Sequence, residues 1–409
     1  MERISSFQCR DCGRSYGRPH PLRCPNCGGL LVIRYDLGAL RAFDRDALTG
    51  AGLWRYWMFL PIDDPRQRVS LGEGGTPLLA CPRLGAQIGL PNLWLKYEGA
   101  NPTGTVKDRS TVTSVSAALE RGAAAVGVVT SGNGGSAVSA YAARAGLKSF
   151  IFVPASVAEP KLVQIARTAT QVVLIEGNYD DVNAVYLETL HRLGGRLFDC
   201  AAHDNPYKQQ GKKTLAYEIA EQMGWTTPDF FAVPVGVGDI FLAAHLGFDD
   251  LLAVGWTTSR PRLIAAQSTA AAPVVNAFHA GSPIGSVVAQ PTVAEGVAVG
   301  QPGARGQWIL DVLRAQDGMA EAVNDEEVMT AQSLLASSEG VWAGPTACTA
   351  LAAVMRLART GQLTPAARVV VLISETGLKG TYPVTQRQVS PSDPAVLAER
   401  IAEQLPAEG

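Results

Sequence analysis

Lys107 stands in the run Asn101-Pro-Thr-Gly-Thr-Val-Lys107-Asp-Arg109. The Pro/Gly turn ahead of it is stiff, and a helix-compatible run over 110–121 follows. A lysine held this way points into whatever cleft the turn borders. In a partly desolvated cleft its pKa falls, and the amine becomes a usable nucleophile or base. A lone lysine of this kind is more often an exposed residue of a helix-start loop, so its meaning rests on its company.

That company is two glycine-rich turns and a strand end. Thr130-Ser-Gly-Asn-Gly-Gly-Ser136 lies between an apolar strand and a helix, where free N–H groups make an anion site. Val233-Pro-Val-Gly-Val-Gly-Asp-Ile240 repeats the arrangement, and closely spaced N–H groups at a helix start suit a phosphate. It is not a P-loop, since no Gly-Lys-Ser/Thr follows, and it lacks the third glycine of a dinucleotide fingerprint. Val369-Val-Val-Leu-Ile-Ser374-Glu-Thr-Gly-Leu-Lys379 ends a very apolar strand on a hydroxyl, where open parallel sheets bind ligands. Each of these taken singly is ordinary turn chemistry.

A fifth group stands apart. Cys9-x2-Cys12 and Cys24-x2-Cys27, with glycines after the second and fourth cysteines, have the spacing of a zinc ribbon. Four thiolates close a tetrahedral site, so the Zn2+ would be structural. Disulfides are disfavoured in a reducing cytoplasm. Cys81, Cys200 and Cys348 lie among apolar neighbours and read as small buried hydrophobes.

The elements that must position these residues follow a β/α rhythm. Strands are expected over 93–97, 125–130, 149–153, 171–175, 230–235, 262–267 and 368–373. Helices are expected over 110–121, 135–145, 160–166, 179–193, 212–223, 239–252, 325–339 and 348–360. Continuous apolar strands alternating with amphipathic helices argue for an α/β protein with parallel sheets covered on both faces. The organisation reads as a ribbon at 1–35 and a stretch at 36–70 packing across the body. A large domain follows from 71–111 and 211–385, then a smaller α/β domain at 112–210 and a helical tail at 386–409, with its helix over 392–405.

With 409 residues, 47% hydrophobic and 18% charged, the chain is long enough for two or three domains and a large core. A formal net charge of -2 and no long basic, aromatic-rich surface argue against a nucleic-acid partner. No apolar run reaches membrane-span length, and the polar, cysteine-bearing start is unlike a signal peptide, so a cytoplasmic location with no membrane contact is expected.

Taken in order over residues 71–380, the four motifs of the body resemble those of fold-type II pyridoxal-phosphate enzymes, and threonine synthases in particular. The resemblance implies two doubly wound α/β domains with pyridoxal 5'-phosphate in the cleft between them. It implies that Lys107 holds the cofactor and acts as general base. Asn133 would meet the cofactor's 3′-oxygen, and Ser374 the pyridine nitrogen. Gly236, Val237, Gly238, Asp239 and Ile240 would form the phosphate cup. An acid there is unusual, so Asp239 is expected to turn its side chain away and lend only its backbone. Ser131, Gly132 and Gly134 would hold a substrate carboxylate, and Lys96 and Lys208 a substrate phosphate. Many relatives carry a ribbon as a packing module, and many are homodimers; a homodimer acting on a small amino-acid substrate is expected by that analogy.

The chain also departs from the pattern. Lys208 stands where Arg is usual, Gly134 where Thr is common, and Glu375 brings a carboxylate near the cofactor ring unless it faces outward, the expected direction. Three readings follow: a carbon-oxygen lyase making threonine and phosphate from O-phosphohomoserine; a β-replacement or β-elimination enzyme acting on serine or O-phosphoserine; and an inactive protein of the same fold that binds through its ribbon. Intact Lys107, Asn133 and Ser374 argue against the last.

Overall fold

The apolar strands pair as expected for parallel sheets. The computed structural model describes residues 4–17, 23–201 and 205–380, with positions 394, 396 and 401 beyond them. Apart from those three positions, which are helical, the expected tail helix lies outside the described residues.

The chain opens with β1 (Ile4–Cys9), β2 (Ser15–Tyr16) and β3 (Leu31–Tyr35), an antiparallel sheet in the order β2-β1-β3. Helix α1 (Leu37–Arg41) follows, its first N–H groups taken by the Asp36 side chain. Leu40 of this helix, with Tyr56, Met58 and Phe59 after it, packs onto Tyr217, Leu251 and Trp256 of the body.

Next come β4 (Leu78–Ala80), α2 (Pro82–Ile88), β5 (Leu93–Tyr97) and α3 (Lys107–Glu120). The following stretch holds β6 (Ala125–Val129), α4 (Asn133–Arg144), β7 (Lys148–Pro154), α5 (Glu159–Thr168), β8 (Gln171–Ile175), α6 (Tyr179–Leu193) and β9 (Phe198–Asp199). Its strands form a parallel sheet in the order β8-β7-β6-β9. The chain then returns through α7 (Pro206–Gln222), β10 (Phe230–Pro234), α8 (Asp239–Val254), β11 (Arg262–Ser268), α9 (Pro273–His279), α10 (Gly303–Ala315) and β12 (Met319–Val323). It closes with α11 (Asp325–Glu339), α12 (Pro345–Arg359) and β13 (Val369–Ile373). The larger sheet runs β12-β11-β10-β13-β5-β4, parallel except for the antiparallel edge strand β4.

Both faces of that sheet are covered. Along β13, Val369, Val371 and Ile373 enter a core with α11 and α12, while Val370 and Leu372 enter one with α8, α9 and α10. This is the two-residue alternation of a strand, with an apolar layer on each side.

Two differences from the expected elements bear on function. Helices α3, α4 and α8 begin two or three residues before or at their expected starts, so Lys107, Asn133 and Asp239 are each the first residue of a helix. Elements α9, α10 and β12 were not foreseen, because the Gly- and Pro-punctuated stretch over 281–303 masks the periodicity around it.

Candidate active site

The lysine turn is stitched to the end of β13. Val106 N–H donates to the Ser374 carbonyl at 2.9 Å, and Thr376 N–H donates to the Gly104 carbonyl at 3.0 Å. Gly104 has φ +78°, and a Cβ there would come within 2.8 Å of the Thr376 methyl, so only glycine lets the two segments approach. The result sets Lys107 beside Ser374 and Glu375. Lys107 is half-buried and its amine is pulled down to about 8, chiefly by burial and then by nearby Lys212, against the opposing pull of Asp239 and Glu375.

The two glycine turns face the same cleft. At the first, Gly132 is the residue before α4, Ser131 is exposed beside it, and Gly134 lies half-buried in the first turn. Asn133 donates from Nδ2 to Glu375, while its buried Oδ1 has no hydrogen-bond partner. Glu375 is therefore turned inward, only 6% exposed, and not outward as expected. Its neighbour Ser374 is equally buried at the strand end.

At the second turn, Gly236 and Val237 are half-buried and Ile240 packs into the core. Gly238 has φ +90°, and a Cβ there would collide with Ile309 of α10. No side chain caps α8, so its first N–H groups keep their capacity for an anion.

The Asp239 side chain is held by cations from two other helices. Its carboxylate accepts from Lys212 Nζ at 2.9 Å and lies 3.5 Å from Arg305 Nε. Burial alone would raise its pKa, but Lys212, Arg305 and Lys107 together hold it far below the usual carboxylate range.

Lys96 corrects the sequence reading. Its amine is wholly buried and donates to the Glu218 carboxylate at 2.8 Å, the Thr76 carbonyl at 2.7 Å and Gln222 at 2.9 Å. A strand buried on both faces leaves such a lysine only internal partners. Lys96 thus joins a sealed ionic knot in which Arg109 grips Glu98 at 2.7 and 2.8 Å and Glu218 at 2.7 Å.

Lys208 is also buried, its amine donating to the Cys200 carbonyl at 2.6 Å, and burial pulls it down to about 8. It shares a chamber of about 30 Å3 with Lys212, Asp239, Arg305 and Trp308. Beyond Glu375 the cleft widens into a cavity of about 430 Å3, lined in part by Lys161, Glu295, Thr346, Glu375 and Lys379.

Sequence reasoning missed Lys161, Lys212, Arg305 and Lys379 as cleft residues. Lys212 lay one helical turn beyond Lys208 and was open to discovery by that spacing. Arg305 had no local signal, since its helix was unforeseen.

The ribbon reaches the cleft from behind. The four thiols of Cys9, Cys12, Cys24 and Cys27 lie within 4.8 Å of one another, with Cys9–Cys27 at 3.5 Å and Cys12–Cys24 at 3.6 Å. Sulfurs around a tetrahedral zinc at 2.3 Å stand about 3.8 Å apart, so the donor set fits the metal. The ribbon's Leu30, Leu31 and Val32 wall the small chamber. Arg10 stacks 4.6 Å from the Trp308 ring and lies 3.4 Å from Asp311, both on α10.

These residues fit a pyridoxal phosphate. An uncapped helix start with a glycine cradle suits its phosphate, a lysine of lowered pKa suits its aldehyde, and the orphaned Asn133 Oδ1 and buried Ser374 border the space between. At the turn over 236–240, the carboxylate of Asp239 opposes a phosphate.

Comparisons with known proteins agree with this geometry. Residues 69–375 match the family described as "Pyridoxal-phosphate dependent enzyme". The chain is 34% identical over 378 residues to a threonine synthase of Methanocaldococcus jannaschii, covering 91% of this chain and 92% of that protein. It is 34% identical over 360 residues to a threonine synthase of Methanosarcina acetivorans, covering 87% of each. In fold it is similar to maize serine racemase, at a TM-score of 0.64 and 18% identity over 80% of this chain and 92% of that one. The chain belongs to the pyridoxal-phosphate-dependent enzyme family and, within it, is threonine synthase-like.

Proposed function

We propose that this enzyme converts O-phosphohomoserine and water to threonine and phosphate. The observation that carries the reading is an amine of lowered pKa, Lys107, close to Asp239 at the start of α8 and to Glu375 at the edge of a roomy cavity, in a chain 34% identical to threonine synthases over most of its length. Bound pyridoxal phosphate supplies an electron sink for charge developing on the substrate carbons.

The chain's own groups do the rest. Lys107, as the neutral amine, would hold the cofactor and, once the substrate's amino group has displaced it, would as the freed amine take the proton from the substrate carbon beside that amino group. Backbone N–H groups over 236–240 would hold the cofactor phosphate, Asn133 would lie toward its ring oxygen and Ser374 would offer its hydroxyl to the ring nitrogen. A hydroxyl there leaves that nitrogen neutral, which suits elimination and replacement more than transamination. The turn at Ser131, Gly132 and Gly134 takes the substrate carboxylate. Lys161 and Lys379 border the large cavity and are the cations offered to the substrate phosphate in place of Lys96. Lys208 contributes its positive field from the adjoining chamber.

The Cys9, Cys12, Cys24 and Cys27 cluster holds a structural Zn2+ in this reading. We also assign the four-stranded and six-stranded sheets to separate domains at 112–210 and at 71–111 with 211–385, and propose a cytoplasmic homodimer. Metal content and sedimentation of the purified protein test the metal and the dimer.

A second reading has one observation in its favour. Glu375 is turned into the cleft, and a carboxylate there disfavours a dianionic substrate. It favours β-replacement on a serine-type amino acid. Phosphate release with product analysis on the cofactor-loaded protein separates the two, comparing O-phospho-L-homoserine, O-phospho-L-serine and L-serine. Threonine from the first substrate supports the leading reading. Turnover of the three-carbon substrates alone overturns it.

A further inference from the structure

An acid at the first position of α8 stands where a phosphate is to bind. Asp239 takes up the same positive potential of the helix start that an incoming anion uses. Its side chain is 10% exposed, so water does little to screen it. Left alone, its charge would face a dianion across a short stretch of low-dielectric interior.

It is not left alone. Lys212 of α7 donates to one carboxylate oxygen at 2.9 Å. The other oxygen takes no hydrogen bond and lies 3.5 Å from the Arg305 guanidinium of α10. Two cations therefore meet one acid, and each arrives from a different helix. The same helix α10 brings Ile309 against Gly238, so the counter-charge and the wall of the cup come from one rigid element.

We propose that Lys212 and Arg305 form a counter-charge for Asp239, and that this three-residue ion cluster, more than the bare helix start, makes the turn over 236–240 competent to bind the cofactor phosphate. Lys212 and Arg305 are positioning residues: they act on the phosphate through Asp239. The inference rests on the assignment of that turn to the cofactor phosphate.

A double-substitution cycle on the full-length apoprotein tests it, with titration by pyridoxal phosphate and, in parallel, by pyridoxal, read from cofactor absorbance. Lys212→Met unmasks Asp239 and is expected to weaken pyridoxal phosphate binding by about 10²- to 10³-fold, the scale of one uncovered charge about 8 to 10 Å from a dianion at an effective dielectric near 20. Lys212→Gln, which keeps a hydrogen bond without the charge, should lose as much, and it serves if the methionine variant fails to fold. Adding Asp239→Asn to either variant should restore affinity to within about threefold of the parent. A double variant no better than Lys212→Met would overturn the proposal, because Lys212 would then be gripping the phosphate itself. Unchanged binding in both single variants would overturn it too. A parent protein that binds pyridoxal as tightly as pyridoxal phosphate would instead sink the cup assignment beneath it.

Discussion

Helix α7 contributes to two clusters of buried charge, and the two behave oppositely. Through Glu218 it enters the sealed knot with Lys96, Glu98 and Arg109. Through Lys208 and Lys212, at its other end, it enters the cleft beside Lys107. In the knot, cations meet carboxylates one for one. Burial alone would raise Glu218, but Arg109 and Lys96 drive it down and keep it charged, while Lys96 itself is lowered by burial against the pull of Glu218. In the cleft, Lys107, Lys208, Lys212 and Arg305 share Asp239 and Glu375, and burial wins at Lys107 and Lys208. A saturated buried cluster holds a fold together, while one with surplus cations has capacity for a ligand and for proton transfer.

Exchanging the two kinds of residue breaks or sharpens that contrast. The largest effect is expected at Lys107. Lys107→Ala should cost roughly 10²- to 10⁴-fold or more in turnover and abolish the cofactor-lysine absorbance. Its melting temperature should hold or rise, since the charged amine is disfavoured by its burial. An unchanged absorbance would overturn the assignment of Lys107.

Arg109→Met should do the reverse. It leaves Glu98 and Glu218 short of their main partner in a dry interior, at a cost of about 3–5 kcal/mol in denaturant unfolding. A loss under about 1 kcal/mol would show that the knot does not hold the fold together.

A smaller effect follows from pH. With Lys107 as the proposed attachment point, only its neutral amine would react, so capture of pyridoxal phosphate by the apoprotein should quicken about tenfold per pH unit and level off above about 8. Between about 8 and the ordinary lysine value of 10.5, the unfolded chain binds more protons at Lys107, Lys208 and Lys379 than the folded one. Stability from these groups therefore rises with pH through that window and is lost as pH falls through about 8. Stopped-flow absorbance and unfolding at stepped pH read the two effects.

The smallest effect tests the reach of the ribbon. Trp308→Ala removes the stacking of Arg10, worth about 0.5–1 kcal/mol at an exposed site, and loosens the helix that carries Arg305. Cofactor affinity should fall by a few-fold with the fold intact. No change would make the ribbon a bystander to the cup.

Most of the frame was legible in the chain itself. The strand alternation, the glycine turns and the cysteine spacing are local signals, each set by residues within a few positions of one another. One missed assignment was also legible: Lys96 sits in Leu93-Trp-Leu-Lys-Tyr97, and a lysine inside an apolar parallel strand has no route to water. The inward turn of Glu375 was not legible, because its direction depends on the bridge between Thr105 and Glu375 and on Asn133 across the cleft. Arg305 was hidden for a plainer reason, a glycine-started helix after an irregular stretch.

The sequence by itself determined the parallel α/β architecture, the lysine, the two anion-suited turns and the thiol set, because backbone conformation and hydrophobic period are short-range properties. The tertiary structure alone decided which lysines became structural and which became chemical, and what an acid at the start of α8 would meet. Charge behaviour depends on burial and on partners brought from distant segments: Lys212 and Arg305 reach Asp239 from 27 residues before it and from a separate helix well after it.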